Sequence, residues 1–329
     1  MKNSKFLSIV ILLGLVVSCT KNIDAPPLVE VPKDSNPIMY SVKSNSCLKS
    51  LNGVSFDGNM LVFQSGSQFT DVMQCLSDQV DTYGSDFDSQ TNSMTDDQAN
   101  DYAQSTGFDE DQPLINFENN LGFYSLRAKL SAATDQWLNN PVLDEANNPD
   151  NHVIIDDVLR ALLSPGGKVN VAGQVYDFTN PSSVPEGGFS CYLLGRTSKF
   201  KRYGNDKKQL WVGISLVGLP FAGHSAAKVK GASYRLARGG RAWEKYRTDL
   251  YADIGGDVRD GACANVLTFT NFKNRKRSSK IVCRKFSFQT NRYSSNPYWF
   301  AKDNDFFGLI QSSNNPDAYQ NIAIRMVWY

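Results

Sequence analysis

Histidine is nearly missing from this chain. His152 and His224 are the two in 329 residues, and neither lies in an HExxH pair or beside a GxSxG elbow, so the zincin and α/β-hydrolase signatures are absent. No CxxC and no Cys/His ligand spacing occurs, which argues against a zinc framework. After the first twenty residues no apolar run approaches the length of a membrane-spanning helix. No catalytic residue, metal ligand or cofactor site is therefore assigned, and whether the chain is an enzyme is left open, with binding favoured.

What is present begins at the start. Lys2 and Lys5 precede an apolar run from Phe6 to Val17, broken by Ser8 and Gly14, and Val16-Val17-Ser18-Cys19 follows. The run has the form of a secretion signal and is too short to span a bilayer. The Val-Val-Ser-Cys ending resembles a lipobox, the site where bacterial lipoproteins are cleaved and lipidated. That resemblance implies lipidation of Cys19, anchoring to a membrane through more than one acyl chain, and, with Thr20 rather than Asp next, the outer membrane. The leaflet is not specified.

The expected organisation is a signal over 1–18, a lipidated cysteine and tether over 19–58, an acidic helical region over 59–165 and a basic β-rich region over 166–329. Pro26, Pro27, Pro32 and Pro37 stand among polar residues in the tether, a composition with little capacity for a core. The net charge of +1 hides a division. Residues 20–165 hold 7 Lys and Arg against 22 Asp and Glu, or −15, while 166–329 hold 25 against 11, or +14. Such a split points to charged partners or to the two halves facing one another.

Helical spacing is clear in the first half. Phe69, Val72, Leu76 and Val80 form a stripe behind a Ser67 cap, with Cys75 packed near it. Phe123, Leu126, Leu130, Ala133 and Trp137 predict one long helix over about 117–139, stopped by Pro141. A third helix is expected over about 153–163, and 85–112 reads as loops or short helices. After Gly167 alternation replaces helical spacing. Leu210 to Val217 reads as a central strand, Tyr246 to Ile254 as a half-exposed one before a Gly255-Gly256 turn. Val266–Phe272 and Ile281–Phe288 read as strands around a basic turn. The fold class is α+β: an N-terminal helical segment followed by a mainly antiparallel β-sandwich or barrel-like domain.

Several segments carry a resemblance. Phe123-Tyr124-Ser125-Leu126-Arg127-Ala128-Lys129, Ile155-Asp156-Asp157-Val158-Leu159-Arg160-Ala161-Leu162-Leu163, Gly173-Gln174-Val175-Tyr176 and Arg241-Ala242-Trp243-Glu244-Lys245-Tyr246-Arg247 leading to Gly255-Gly256 and Cys263 are similar to uncharacterised lipoproteins of Bacteroidota. The likeness covers about half of the chain beyond the signal and brings no activity or catalytic residue with it.

Beyond Cys19 the five cysteines are odd in number, and an exported compartment permits disulfides. Cys263 and Cys283 flank the presumed hairpin and form the candidate pair. The basic stretches supply a candidate anion-binding set, Arg235, Arg238, Arg241, Lys273, Arg275, Lys276 and Arg277, beside aromatics that can stack on rings. Nucleic acid does not suit an anchored exported protein, so lipopolysaccharide, an acidic glycan or an acidic protein face is the expected partner. Asp86 to Asp97 loosely imitates a calcium loop but has Thr91 where the sharp turn wants glycine. The leading expectation is a non-enzymatic envelope lipoprotein. A secreted glycan-acting hydrolase and a pilin-like structural subunit are the alternatives.

Overall fold

The computed structural model describes residues 51–152, 154–179, 196–203, 205–219, 224–260, 266–285, 299–301, 307–312 and 322–325. All of them belong to one compact unit. The lipobox, the tether up to residue 50, Cys47, Cys191 and Cys263 lie outside these residues.

The chain enters through β1 (Ser55–Phe56) and β2 (Leu61–Phe63), an antiparallel pair. The Asp57 carboxylate holds the turn by accepting from the backbone N–H groups of Asn59 and Met60, both at 2.8 Å. Residues 51–58, the end of the span expected to be tether, thus include a strand. Ser65, not Ser67, caps α1 (Gly66–Gln90) through the N–H of Gln68. The helix carries on through Ser85 into the span expected to hold loops or short helices. Thr95 and Gln98 make a reciprocal capping box for α2 (Asp96–Thr106). The acidic stretch from Asp86 to Asp97 is therefore mostly helix rather than a calcium loop.

The expected long helix is two. α3 (Gln112–Leu121) ends on Gly122 at φ 61°, and Ser125 starts α4 (Leu126–Leu138) by accepting from the N–H of Ala128. The apolar stripe runs across the break because Phe123 and Leu126 both stay in the core. A left-handed glycine ends the helix at little steric cost without disturbing that pattern. The third expected helix shortens to α5 (Asp157–Ala161), capped by Asp156.

The boundary expected at 165/166 falls within a hydrophobic core. β3 (Lys168–Val171) runs parallel to β2, and β4 (Gln174–Asp177) returns antiparallel through Ala172 and Gly173, both at positive φ. That two-residue connection matches the twist of the flanking strands. Val169 and Val171 pack with Leu61, Phe63, Phe69, Leu114 and Leu159, so this small sheet belongs to the helices.

Two five-stranded sheets follow. In one, β5 (Arg196–Tyr203), β6 (Lys208–Leu219), β7 (His224–Leu236) and β11 (Lys280–Lys285) lie side by side, with β8 (Trp243–Lys245) also on β7. In the other, β9 (Thr248–Asp260) pairs β10 (Val266–Ser278), β12 (Trp299–Ala301) and β13 (Phe307–Ser312), and β14 (Ile322–Arg325) pairs β13. β13 and β14 pack on β6 of the first sheet. Among the described residues no sheet closes into a barrel, which removes that alternative from the α+β expectation. Gly255 and Gly256 lie within β9 beside the register shift at Phe269 and Phe272, not in a turn.

Lys273 to Arg277 are strand residues of β10 rather than a turn. β10 pairs β9 in one sheet, and one residue later β11 pairs β7 in the other. The chain changes sheets at Ser279, so the hairpin that motivated Cys263 and Cys283 as a pair is not formed. Cys75, by contrast, is disulfide-bonded, and it is buried beside the apolar stripe as expected.

Candidate functional site

The helices meet the first sheet through charge as well as apolar packing. Trp137 and Leu138 of α4 and Ile155 pack against Trp211, Ala232, Tyr234 and Trp243 from β6, β7 and β8. Alternation along β7 sets Lys228, Lys230, Ala232 and Tyr234 on one face. That face looks toward the segment from Asp150 to Arg160, and both lysines are buried.

Asp150 is the hub. Arg160 Nη1 donates to it at 2.8 Å, Lys230 Nζ at 2.8 Å and Tyr234 Oη at 3.3 Å. Asp157, on the first turn of α5, receives the same two cations at 3.0 and 3.1 Å, and Lys280 Nζ of β11 at 2.9 Å. Lys280 also pairs with Asp111 at the start of α3. Beside these, Lys228 meets Asp156 at 2.7 Å with both side chains 1% exposed. Arg127 forms a bidentate pair with Glu118, which also accepts from the Ser125 hydroxyl at 2.5 Å.

Burial alone would push these carboxyls up, because an uncompensated buried charge is costly. The cations outweigh it. Burial raises Asp150, but the Lys230 ammonium and the Arg160 guanidinium hold it at about 2. Asp157 is held well below the usual carboxylate range against its burial by Lys230, Lys280 and Arg160. Asp111 is lowered against burial chiefly by Lys280, and Glu110 against burial chiefly by Arg247. Burial, then Asp150, push the Tyr234 phenol well up.

A second knot joins α1 and α2 to the point where the sheets meet. Arg247, between β8 and β9, bonds Asp88 at 2.6 Å and Glu110, and its guanidinium lies 4.8 Å from the Phe87 ring centre and 5.0 Å from that of Phe108. The Asn100 amide completes the joint, donating to Arg247 O and accepting from Arg247 N, each at 2.8 Å. Glu110 accepts from Ser278 Oγ at 2.8 Å and from Ser279 N at 2.9 Å.

The seven expected anion-binding residues are not gathered into one free basic face among the described side chains. Arg235 pairs with Asp97 at 2.8 Å, with Asp101 at 3.6 Å and with Glu244. Arg238, largely exposed, reaches Asp101 at 3.1 Å. Lys276 faces Asp81 at 3.6 Å. Arg277 donates to Asp96 at 3.0 Å and to the carbonyls of Thr91 and Met94, each at 2.9 Å. Arg241 is exposed. The side chains of Lys273 and Arg275, and both candidate disulfide cysteines, lie outside the described ones. Much of the basic half is thus matched by the chain's own acidic helices, one of the two readings that the charge division allowed.

Two spaces open along this junction. A void of about 50 Å³ lies among Arg127, Asp150, Asp157, Arg160, Lys230 and Tyr234. A cleft of about 360 Å³ is lined by Gln104, Phe108, Asp135, Leu138, Asn139 and Trp243. Asp111, Lys245, Ser279 and Lys280 line both. Sequence reasoning missed Asp150, Asp157, Lys230 and Lys280 altogether. One signal was available: Lys228 and Lys230 alternate with Val229 and Gly231.

No protein-family profile matches the chain, and no curated protein matches it. Among solved structures, a DUF4848 family protein from Bacteroides thetaiotaomicron aligns with 83% of this chain and 100% of its own, at 10% identity and a TM-score of 0.22. That score is too low to carry a statement about fold or function.

Proposed function

We propose that the chain is an outer-membrane lipoprotein, held by acyl chains on Cys19, whose folded part has a non-enzymatic binding role in the envelope. The observation that carries the address is the Val16-Val17-Ser18-Cys19 ending after a short apolar run. The Cys75 disulfide fits it, because such bonds persist in oxidising compartments. No helix among the described residues is long and apolar enough to cross a membrane.

Electrostatics favour binding over glycan hydrolysis. A hydrolase needs one carboxyl kept protonated as general acid beside an ionised one. Glu110, Asp111, Asp150 and Asp157 are instead drawn toward the ionised form by cations in contact; Asp88 is raised, chiefly by burial, but its carboxyl is engaged by Arg247 at 2.6 Å. The exposed Arg238 and Arg241 keep lipopolysaccharide or an acidic glycan among the proposed contacts, with attraction that falls as salt rises. The address is tested by feeding cells a labelled fatty acid. Wild-type protein should take up label and sediment with the outer membrane, and Cys19→Ala should do neither. Equal labelling of the two would end the proposal.

A further inference from the structure

We propose that the cleft between α2, α4 and β8 binds a small zwitterion, a free amino acid or a short peptide, with its carboxylate on Lys245 and its ammonium on Asp135. This rests on the binding role proposed above and gives it a ligand class.

The argument is one of unmatched charge. Around the inner void Arg160, Lys230 and Lys280 are matched by Asp111, Asp150 and Asp157, and Arg127 is matched by Glu118. On the cleft side Arg247 is matched by Glu110 and Asp88, and Glu244 by Arg235. Lys245 lines both spaces, makes no contact ion pair among the described residues, and acts at longer range on Asp111, which Lys280 already pairs. Asp135, on the exposed side of α4, lines the cleft and likewise makes none. The other unmatched carboxylate there, Asp109, accepts from the backbone N–H of Asp111 at 2.8 Å. A simple anion would gain Lys245 and meet Asp135 as a like charge, and a simple cation the reverse. A ligand carrying both charges satisfies both, and charge-assisted contacts of this kind are the strong ones.

The remaining lining suits a small organic body. Phe108, Leu138 and Trp243 contribute apolar surface, Gln104 and Asn139 contribute amides, and about 360 Å³ lies at the lower end of the range for small-molecule sites. Trp243 is fixed by an indole N–H bond to Pro141 O at 3.0 Å, and Gln104 by a bond to Glu244 at 2.8 Å. The walls are therefore set before a ligand arrives, which lowers the ordering cost of binding.

The experiment is calorimetric titration of the full chain, purified in detergent, with alanine, alanyl-alanine, N-acetyl-alanyl-alanine and alanyl-alanine amide. Alanine and the dipeptide separate the two sources of the zwitterion. We expect saturable binding of at least one, weakened about tenfold or more by blocking either end, by Lys245→Gln and by Asp135→Asn. The amide should be indifferent to Lys245→Gln and the acetylated peptide to Asp135→Asn, because each block removes the group its residue would hold. Both residues are exposed, so neither change threatens folding, and Arg202→Gln, on β5 outside the cleft lining, should change nothing. Absence of binding by both zwitterions, equal binding of the blocked forms, or indifference to both substitutions overturns the proposal. Acyl labelling of Cys19 is independent of all of these outcomes, so the address and the ligand class can fail separately.

Discussion

Asp150→Asn tests the buried junction most directly. The substitution keeps the shape of the side chain and removes its charge. In the wild type that charge meets Arg160, Lys230 and Tyr234 in a site almost closed to water. Holding the carboxyl at about 2, against an ordinary 3.8, corresponds to about 2–3 kcal/mol of stability at neutral pH. Truncating one member of a buried ion cluster independently suggests about 3–5 kcal/mol. Asp157 still faces both cations at 3.0 and 3.1 Å, so the lower figure, about 3 kcal/mol, is expected. Because the folded-state value is depressed, this stabilisation is complete above the unfolded value near 4. It is lost as pH falls through the folded value near 2. Urea unfolding at pH 7 should therefore separate the two proteins by about 3 kcal/mol, and at pH 3 by about half of that. A gap below about 1 kcal/mol at pH 7, or one that does not shrink in acid, would show that Asp150 does not hold an ionised junction together.

Two further substitutions probe neighbouring contacts. Lys228→Met should cost about 3–5 kcal/mol in chemical unfolding, because it removes the ammonium that faces the Asp156 carboxylate, 1% exposed, at 2.7 Å. The double variant Lys228→Met/Asp156→Ser, which removes both charges and keeps a helix cap, should recover much of that loss, and failure to do so would point to packing rather than charge. Gly122→Ala should lower stability by about 1 kcal/mol, since its φ is 61° and an added Cβ would meet nothing within 4 Å. A thermal scan showing no change would mean the α3–α4 break does not depend on left-handed backbone there.

Period made the helices legible, whereas the cap of α1 was placed on Ser67 rather than Ser65 and the Thr95–Gln98 box was overlooked. Phe69, Val72 and Leu76 are buried as their spacing requires, and Thr95 with Gln98 carries its cap in plain sequence. The break at Gly122 was hidden because the apolar stripe does not notice it. Strand alternation was legible too, but sheet membership was not, since a strand pattern does not say which sheet it joins. The change of sheet at Ser279 turned an apparent hairpin into a crossover between sheets. Lys228 and Lys230 were passed over for a related reason. A lysine in an alternating strand ordinarily marks the wet face, yet here that face lies against Asp150, Asp156 and Asp157. With 22 acidic residues in the first half, nothing in the sequence distinguished those three from solvated ones.

The charge division finds its physical sense in this junction, at least in part. Desolvating ions is expensive, and an apolar interface of the same shape is often as stable. What ionic contacts add is register. β7 could slide against the helices at small cost if the contact were made by Leu and Val alone, whereas displacement would part Lys228 from Asp156 and Lys230 from Asp150 and Asp157 while all remain buried. Each misplaced charge would then carry its full desolvation cost. The junction thus selects one placement of the helices on the sheet, and that placement sets α4 opposite β8 and forms the cleft between them. On this view the acidic and basic halves evolved to meet each other first. Lys245 and Asp135, which the junction leaves unmatched, are then the residues for which an external ligand is the most economical explanation.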